Sequence, residues 1–120
     1  GKLVRVAAPC HATATGDVLV EAYEGSTLTV DGDRVEARAK QGSTATINRG
    51  LLYADQGSTV IAHGGTVNAC RGSTVTADGE AVVYAKQGST IIAHGGTVYA
   101  HWGAQVTNHG ATVYPWNGMR

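Results

Sequence analysis

The stretch Gln56–Ala69 reads QGSTVIAHGGTVNA, and 31 residues later Gln87–Ala100 reads QGSTIIAHGGTVYA. Working outward from this pair, a Gly-Ser-Thr motif begins at Gly25, Gly42, Gly57, Gly72 and Gly88, with a degenerate Gly-Ala-Gln at Gly103. The spacings are 17, 15, 15, 16 and 15 residues. Each repeat divides into two half-units of seven or eight residues, roughly G-S-T-V-x-A-x-G. Within a half-unit such as Thr74-Val75-Thr76-Ala77, Val and Ala share one side and the two Thr share the other, the period-two signature of a short strand.

The apolar side recurs as one large and one small residue. In the first half-unit it reads Leu28/Val30, Ala45/Ile47, Val60/Ala62, Val75/Ala77, Ile91/Ala93 and Val106/Asn108. In the second it reads Val35/Ala37, Leu52/Ala54, Val67/Ala69, Val83/Ala85, Val98/Ala100 and Val113/Pro115. Such pairs fill a thin, uniform interior between two facing sheets. A polar residue followed by Gly closes each corner, as in His63-Gly64 and Asp78-Gly79. Recurrence of the same residue type at every fifteenth position predicts an all-β, single-domain β-solenoid, each coil carrying two short parallel strands. A meander of hairpins in a sandwich is the competing arrangement, but it has no need of identical columns. About seven coils fit, giving a rod roughly 30 to 35 Å long at about 4.8 Å per coil. Residues 1–120 are expected to form one domain. Residues 1–24 read as an irregular first coil or cap, with Leu3–Ala7 a strand covering the open end. Residues 25–113 read as regular coils, and residues 114–120 as a C-terminal cap or tail.

Composition narrows the function. Lys plus Arg number 9 and Asp plus Glu number 9, so the net charge is zero and no basic excess points to nucleic acid or an anionic membrane. Charged residues are 15%, against roughly 25% in ordinary domains. Phe is absent and Gly numbers 17, which demands an aliphatic core and many regular turns. No apolar run approaches the roughly 18 residues that span a bilayer, and no secretory leader is expected at residue 1.

Function is expected on the outward positions. On the first face these are Thr27/Thr29, Thr44/Thr46, Thr59/Ile61, Thr74/Thr76, Thr90/Ile92 and Gln105/Thr107. Nine of the twelve are Thr, a good exposed strand residue and also a regular grid of methyl and hydroxyl groups. These Thr-x-Thr columns on a 15-to-16-residue coil resemble ice-binding solenoids. Gly25-Ser26-Thr27-Leu28-Thr29 and residues 72–77 resemble the repeats of bacterial ice-nucleation proteins. The G-S-T-V-x-A pattern over about residues 25–116 resembles bacterial octad-repeat solenoids. The resemblance implies a solenoid and, through Thr27, Thr29, Thr44, Thr46, Thr59, Thr74, Thr76, Thr90 and Thr107, an ice-binding face. Ile61, Ile92 and Gln105 depart from the Thr pattern, and the array is short.

On the second face one column is expected to run Glu21, Glu36, Tyr53, Asn68, Tyr84, Tyr99 and Tyr114. Its neighbour is expected to run Tyr23, Arg38, Asp55, Cys70, Lys86, His101 and Trp116. Tyr53, Tyr84, Tyr99, Tyr114 and Trp116 form a candidate interaction strip, since Tyr and Trp dominate binding hot spots. A solvated strand face with aromatics lying on their neighbours would read the same way.

His63, Asp78, His94 and His109 fall in one corner column. His94 and His109 sit on adjacent coils, but His63 and His94 are two coils, or about 10 Å, apart. Ligands must converge within about 2 Å of one ion, so neither metal nor cofactor is expected. Cys10 and Cys70 lie about four coils apart, beyond the roughly 7 Å limit for bridged Cα atoms, so two free thiols are expected. The corner Ser residues recur as turn residues, no Gly-x-Ser-x-Gly elbow occurs, and no long loop is available to build a cleft. The chain is not expected to be an enzyme.

The leading expectation is therefore a non-catalytic structural or interaction module that presents flat faces to a protein partner or to itself. Ice binding by the Thr face is the alternative, and glycan binding on the Tyr/Trp strip a weaker one. Neither nucleic acid nor membrane is expected as a partner.

Overall fold

The computed structural model describes residues 2–6, 11–14, 18–101 and 103–115. Among the described residues thirteen strands form: β1 (Lys2–Val6), β2 (His11–Ala14), β3 (Val18–Ala22), β4 (Thr27–Ala39), β5 (Thr44–Ala54), β6 (Thr59–Ala62), β7 (Thr66–Ala69), β8 (Thr74–Ala77), β9 (Val82–Ala85), β10 (Thr90–Ala93), β11 (Thr97–Ala100), β12 (Gln105–Asn108) and β13 (Thr112–Pro115). Every pairing among the described residues is parallel, and each strand bonds to the strand one coil away, which is its neighbour in sequence only where the long β4 or β5 takes part. β4 and β5 run around a corner and contribute an arm to each face. The first face stacks β2, β4, β5, β6, β8, β10 and β12. The second stacks β1, β3, β4, β5, β7, β9, β11 and β13. The chain is thus a β-solenoid with close to the expected number of coils, and its long axis measures 34 Å. Among the described residues no helix is long and apolar enough to cross a membrane.

The β-branched Thr, Val and Ile of each half-unit favour extended backbone, and their alternation sends Val or Ile and then Ala inward. Burial follows it: Val60, Ala62, Val67, Ala69, Val75, Ala77, Val83 and Ala85 have no exposed surface. At the C-terminal coils Ala100, Ala104, Val106, Ala111 and Val113 are only partly buried.

One corner is a repeated type II turn. In Asp55-Gln56-Gly57-Ser58 the Ser58 amide donates to the Asp55 carbonyl at 3.1 Å, and Gly57 takes φ +81°, the left-handed value this turn requires at its third residue. The Ser58 hydroxyl donates to the same carbonyl at 2.6 Å. Ser26, Ser43, Ser73 and Ser89 repeat that bond at 2.5 to 2.6 Å, and all five serines are buried. A buried hydroxyl needs a partner, and the turn supplies one. The recurring serine is therefore a structural device. A second ladder joins the turns, the Gly57 amide donating to Gly72 O and the Gly72 amide to Gly88 O, at 3.0 and 2.9 Å.

The register corrects one reading of the sequence. Val30 pairs with Ile47, but the next aligned pairs are Asp31 with Arg49 and Glu36 with Leu51, so two extra residues are absorbed at the 31–35 corner. That is where the 17-residue spacing is spent. The inward pair of this coil is Ala37/Ala39, aligned with Leu52/Ala54, and not Val35/Ala37. Val35 instead turns the corner, buried, with its carbonyl 2.9 Å from where a Cβ on Gly50 would lie. At the N-terminus Leu3 lies in β1, which pairs in register with β3 as a further rung of the second face and not as a strand laid across an end. Ala7 lies outside the described residues.

Candidate functional site

The first face places its residues as the repeat predicts. One column is Thr27, Thr44, Thr59, Thr74, Thr90 and Gln105; the other is Thr29, Thr46, Ile61, Thr76, Ile92 and Thr107. Five consecutive rungs of the first column are Thr. Register continues into the first coil, where His11 aligns with Thr27 and Thr13 with Thr29. The sequence reading missed Thr13 as a member of this column, although the short alternation of residues 11–14 was visible. Thr59 and Thr107 are exposed and Thr27, Thr29, Thr44, Thr46, Thr74, Thr76 and Thr90 half-buried, with Ile61 exposed beside them. Among the described residues no side-chain hydrogen bond uses a hydroxyl of these nine threonines, Thr27 to Thr107. The hydroxyls therefore face solvent in a regular array.

On the second face the shifted register changes the membership of the strip. Its central column is Glu21, Arg38, Tyr53, Asn68, Tyr84, Tyr99 and Tyr114. Glu36 belongs instead to the column of Leu51, Thr66 and Val82. The neighbouring column holds Lys40 in place of Arg38, and Lys40 Nζ lies 3.7 Å from Asp55 Oδ2. Arg38 sits over the Tyr53 ring at 5.6 Å from its centroid, a cation–π contact that the sequence reading did not anticipate. Tyr84 stacks on Tyr99 with centroids 5.1 Å apart and planes at 13°. Tyr99 stacks on Tyr114 at 5.5 Å and 22°. The strand spacing enforces this, because in-register rings on adjacent parallel rungs stand about 4.8 Å apart. Tyr84 and Tyr99 are half-buried and Tyr114 is 49% exposed. Asn68 interrupts the column, so Tyr53 stands apart from the other three. Trp116 lies outside the described residues.

The Asp78-containing corner column runs Asn48, His63, Asp78, His94 and His109. His63 Nδ1 lies 2.8 Å from Asp78 Oδ1, with both side chains more than two-fifths exposed. His94 and His109 stack at 5.0 Å. The column is thus split into two separate pairs. Among the described residues no three His, Cys, Asp or Glu side chains are grouped to hold a metal ion. Cys70 is a half-buried free thiol, and Cys10 lies outside the described residues. The opposite corner holds a shallow, open depression lined by Tyr23, Glu24, Lys40, Gln41, Asp55 and Gln56.

No family model matches this chain, and neither a curated protein nor a solved structure is significantly similar to it.

Proposed function

We propose that the protein is a non-catalytic interaction module that docks a protein surface, another subunit's or its own copy's, on the tyrosine strip of the second face. The observation that carries this reading is the continuous stack of Tyr84, Tyr99 and Tyr114. Aromatic side chains supply large contact area, and rings held by their neighbours lose little rotamer freedom on binding. The test places a photo-reactive benzophenone side chain at position 53 or at position 76, on opposite faces, in the cells that make the protein. Adducts from position 53 that Tyr99→Ala abolishes support the reading. Adducts equally frequent from position 76, or none from either together with a monomer in sedimentation, overturn it.

Ice binding is the second reading, favoured by the unengaged hydroxyls of five consecutive Thr rungs. Their spacing is about 4.8 Å between coils and about 6.8 Å along a strand. Thermal hysteresis that Thr74→Lys abolishes would support it. For glycans the strip is less suited, because the stacked rings cover one another's faces and leave edges and hydroxyls outward.

A further inference from the structure

We propose that the Tyr84–Tyr99–Tyr114 stack is a site of oxidative modification, at which adjacent rings couple into dityrosine and staple the C-terminal coils covalently. Centroids 5.1 and 5.5 Å apart, with planes at 13° and 22°, keep the ortho carbons of neighbouring rings within a small side-chain swing of each other. The rungs hold that arrangement permanently, since Tyr84, Tyr99 and Tyr114 are in register across two parallel pairings. Proximity of this kind turns a bimolecular radical encounter into an intramolecular one. Tyr114 is 49% exposed, so an oxidant reaches the end of the stack.

The chemistry balances with a peroxidase-type one-electron oxidant driven by hydrogen peroxide. Each of two phenols loses one electron and its hydroxyl proton. The two radicals form one carbon–carbon bond between ortho positions, and the two ring hydrogens shift to restore both phenols. Two hydrogen atoms leave in all, and one hydrogen peroxide is reduced to two waters.

The same column contains its own control. Tyr53 is separated from Tyr84 by Asn68, two rungs or about 10 Å, and is covered by Arg38. Tyr53 is thus not placed to couple to the stack. Tyr23, in the neighbouring column, donates its hydroxyl to Glu21 Oε1 at 2.7 Å.

The experiment treats dilute full-length protein with horseradish-type peroxidase and hydrogen peroxide, isolates monomer, and reads dityrosine fluorescence and cross-linked peptides by mass spectrometry. The expected product is a monomer lighter by two hydrogen atoms, linked Tyr84–Tyr99 or Tyr99–Tyr114. Tyr99→Phe keeps the stack but leaves Tyr84 and Tyr114 two rungs apart, and is expected to lower intramolecular dityrosine at least tenfold. Asn68→Tyr fills the gap and is expected to bring Tyr53 into the linked set. Dityrosine found only between molecules, Tyr53 linked as often as the stack in the unmodified sequence, or a yield unchanged by Tyr99→Phe would each overturn the proposal.

Discussion

Two glycines with the same backbone angle are expected to respond very differently to alanine. Gly72 takes φ +82° at the third position of a type II turn, and Gly96 takes φ +80° at the opposite corner. Left-handed backbone alone costs an alanine about 1–2 kcal/mol. At Gly72 the new Cβ would lie 2.7 Å from Gln56 Cγ, a side chain on an exposed turn that can rotate aside. Displacing it to a poorer rotamer adds about 1 kcal/mol, so Gly72→Ala is expected to cost about 2 to 3 kcal/mol. At Gly96 the Cβ would collide with the carbonyl oxygen of Ala81 and come within 3.1 Å of its nitrogen. That carbonyl accepts the Thr97 amide at 2.9 Å, and Ala81 is buried. Backbone cannot step aside without opening the rung, which adds a lost hydrogen bond of about 1 kcal/mol and overpacking of about 1–3 kcal/mol. Gly96→Ala is thus expected to cost about 3 to 6 kcal/mol. Urea unfolding of both variants followed by circular dichroism measures the difference. Equal losses, or a larger loss at Gly72, would refute the claim that coil-to-coil contact and not φ alone sets these costs.

Three further outcomes follow from the same geometry. Leu52→Ala, which empties a fully buried position between Ala37 and Val67, is expected to lower unfolding stability by about 2–5 kcal/mol in urea melts. Ser73→Ala removes a hydroxyl bond to a carbonyl that still accepts the Ser73 amide, so its expected cost is only about 1 kcal/mol; a loss above twice that would contradict the turn assignment. Thr74→Lys leaves the core untouched and is expected to change stability by less than about 0.5 kcal/mol, which makes it a clean probe of the Thr face in hysteresis assays.

The fold was legible because the repeat itself states the stacking. Identical residues at fifteen-residue intervals make columns only if the coils are in register, and Thr59, Thr74 and Thr90 duly align. The 31–39 segment was less readable. Its run Val35-Glu36-Ala37-Arg38-Ala39 alternates so evenly that either Val35/Ala37 or Ala37/Ala39 could face inward. The large-then-small rule favours the first. The second is adopted because the two extra residues bulge at the corner, where Gly50 leaves room for Val35. That slip decides which charge lies over Tyr53, and so the cation–π contact stayed hidden. The tyrosine column could be read from spacing alone, whereas the angles of its rings depend on packing that no local pattern encodes. The degraded repeat at residues 2–22 hid the rungs that β1 and β2 add.

The stacking itself is tested most directly by nuclear Overhauser contacts in solution. Parallel coils in register predict methyl contacts linking Val60 to Val75 and Val75 to Ile91, and linking Val67 to Val83 and Val83 to Val98, with no Hα–Hα contacts between β6 and β7. Hα–Hα cross peaks pairing residues 59–62 with residues 66–69 would instead mark an antiparallel hairpin turning at His63-Gly64-Gly65, and would contradict the solenoid and both of the faces built on it.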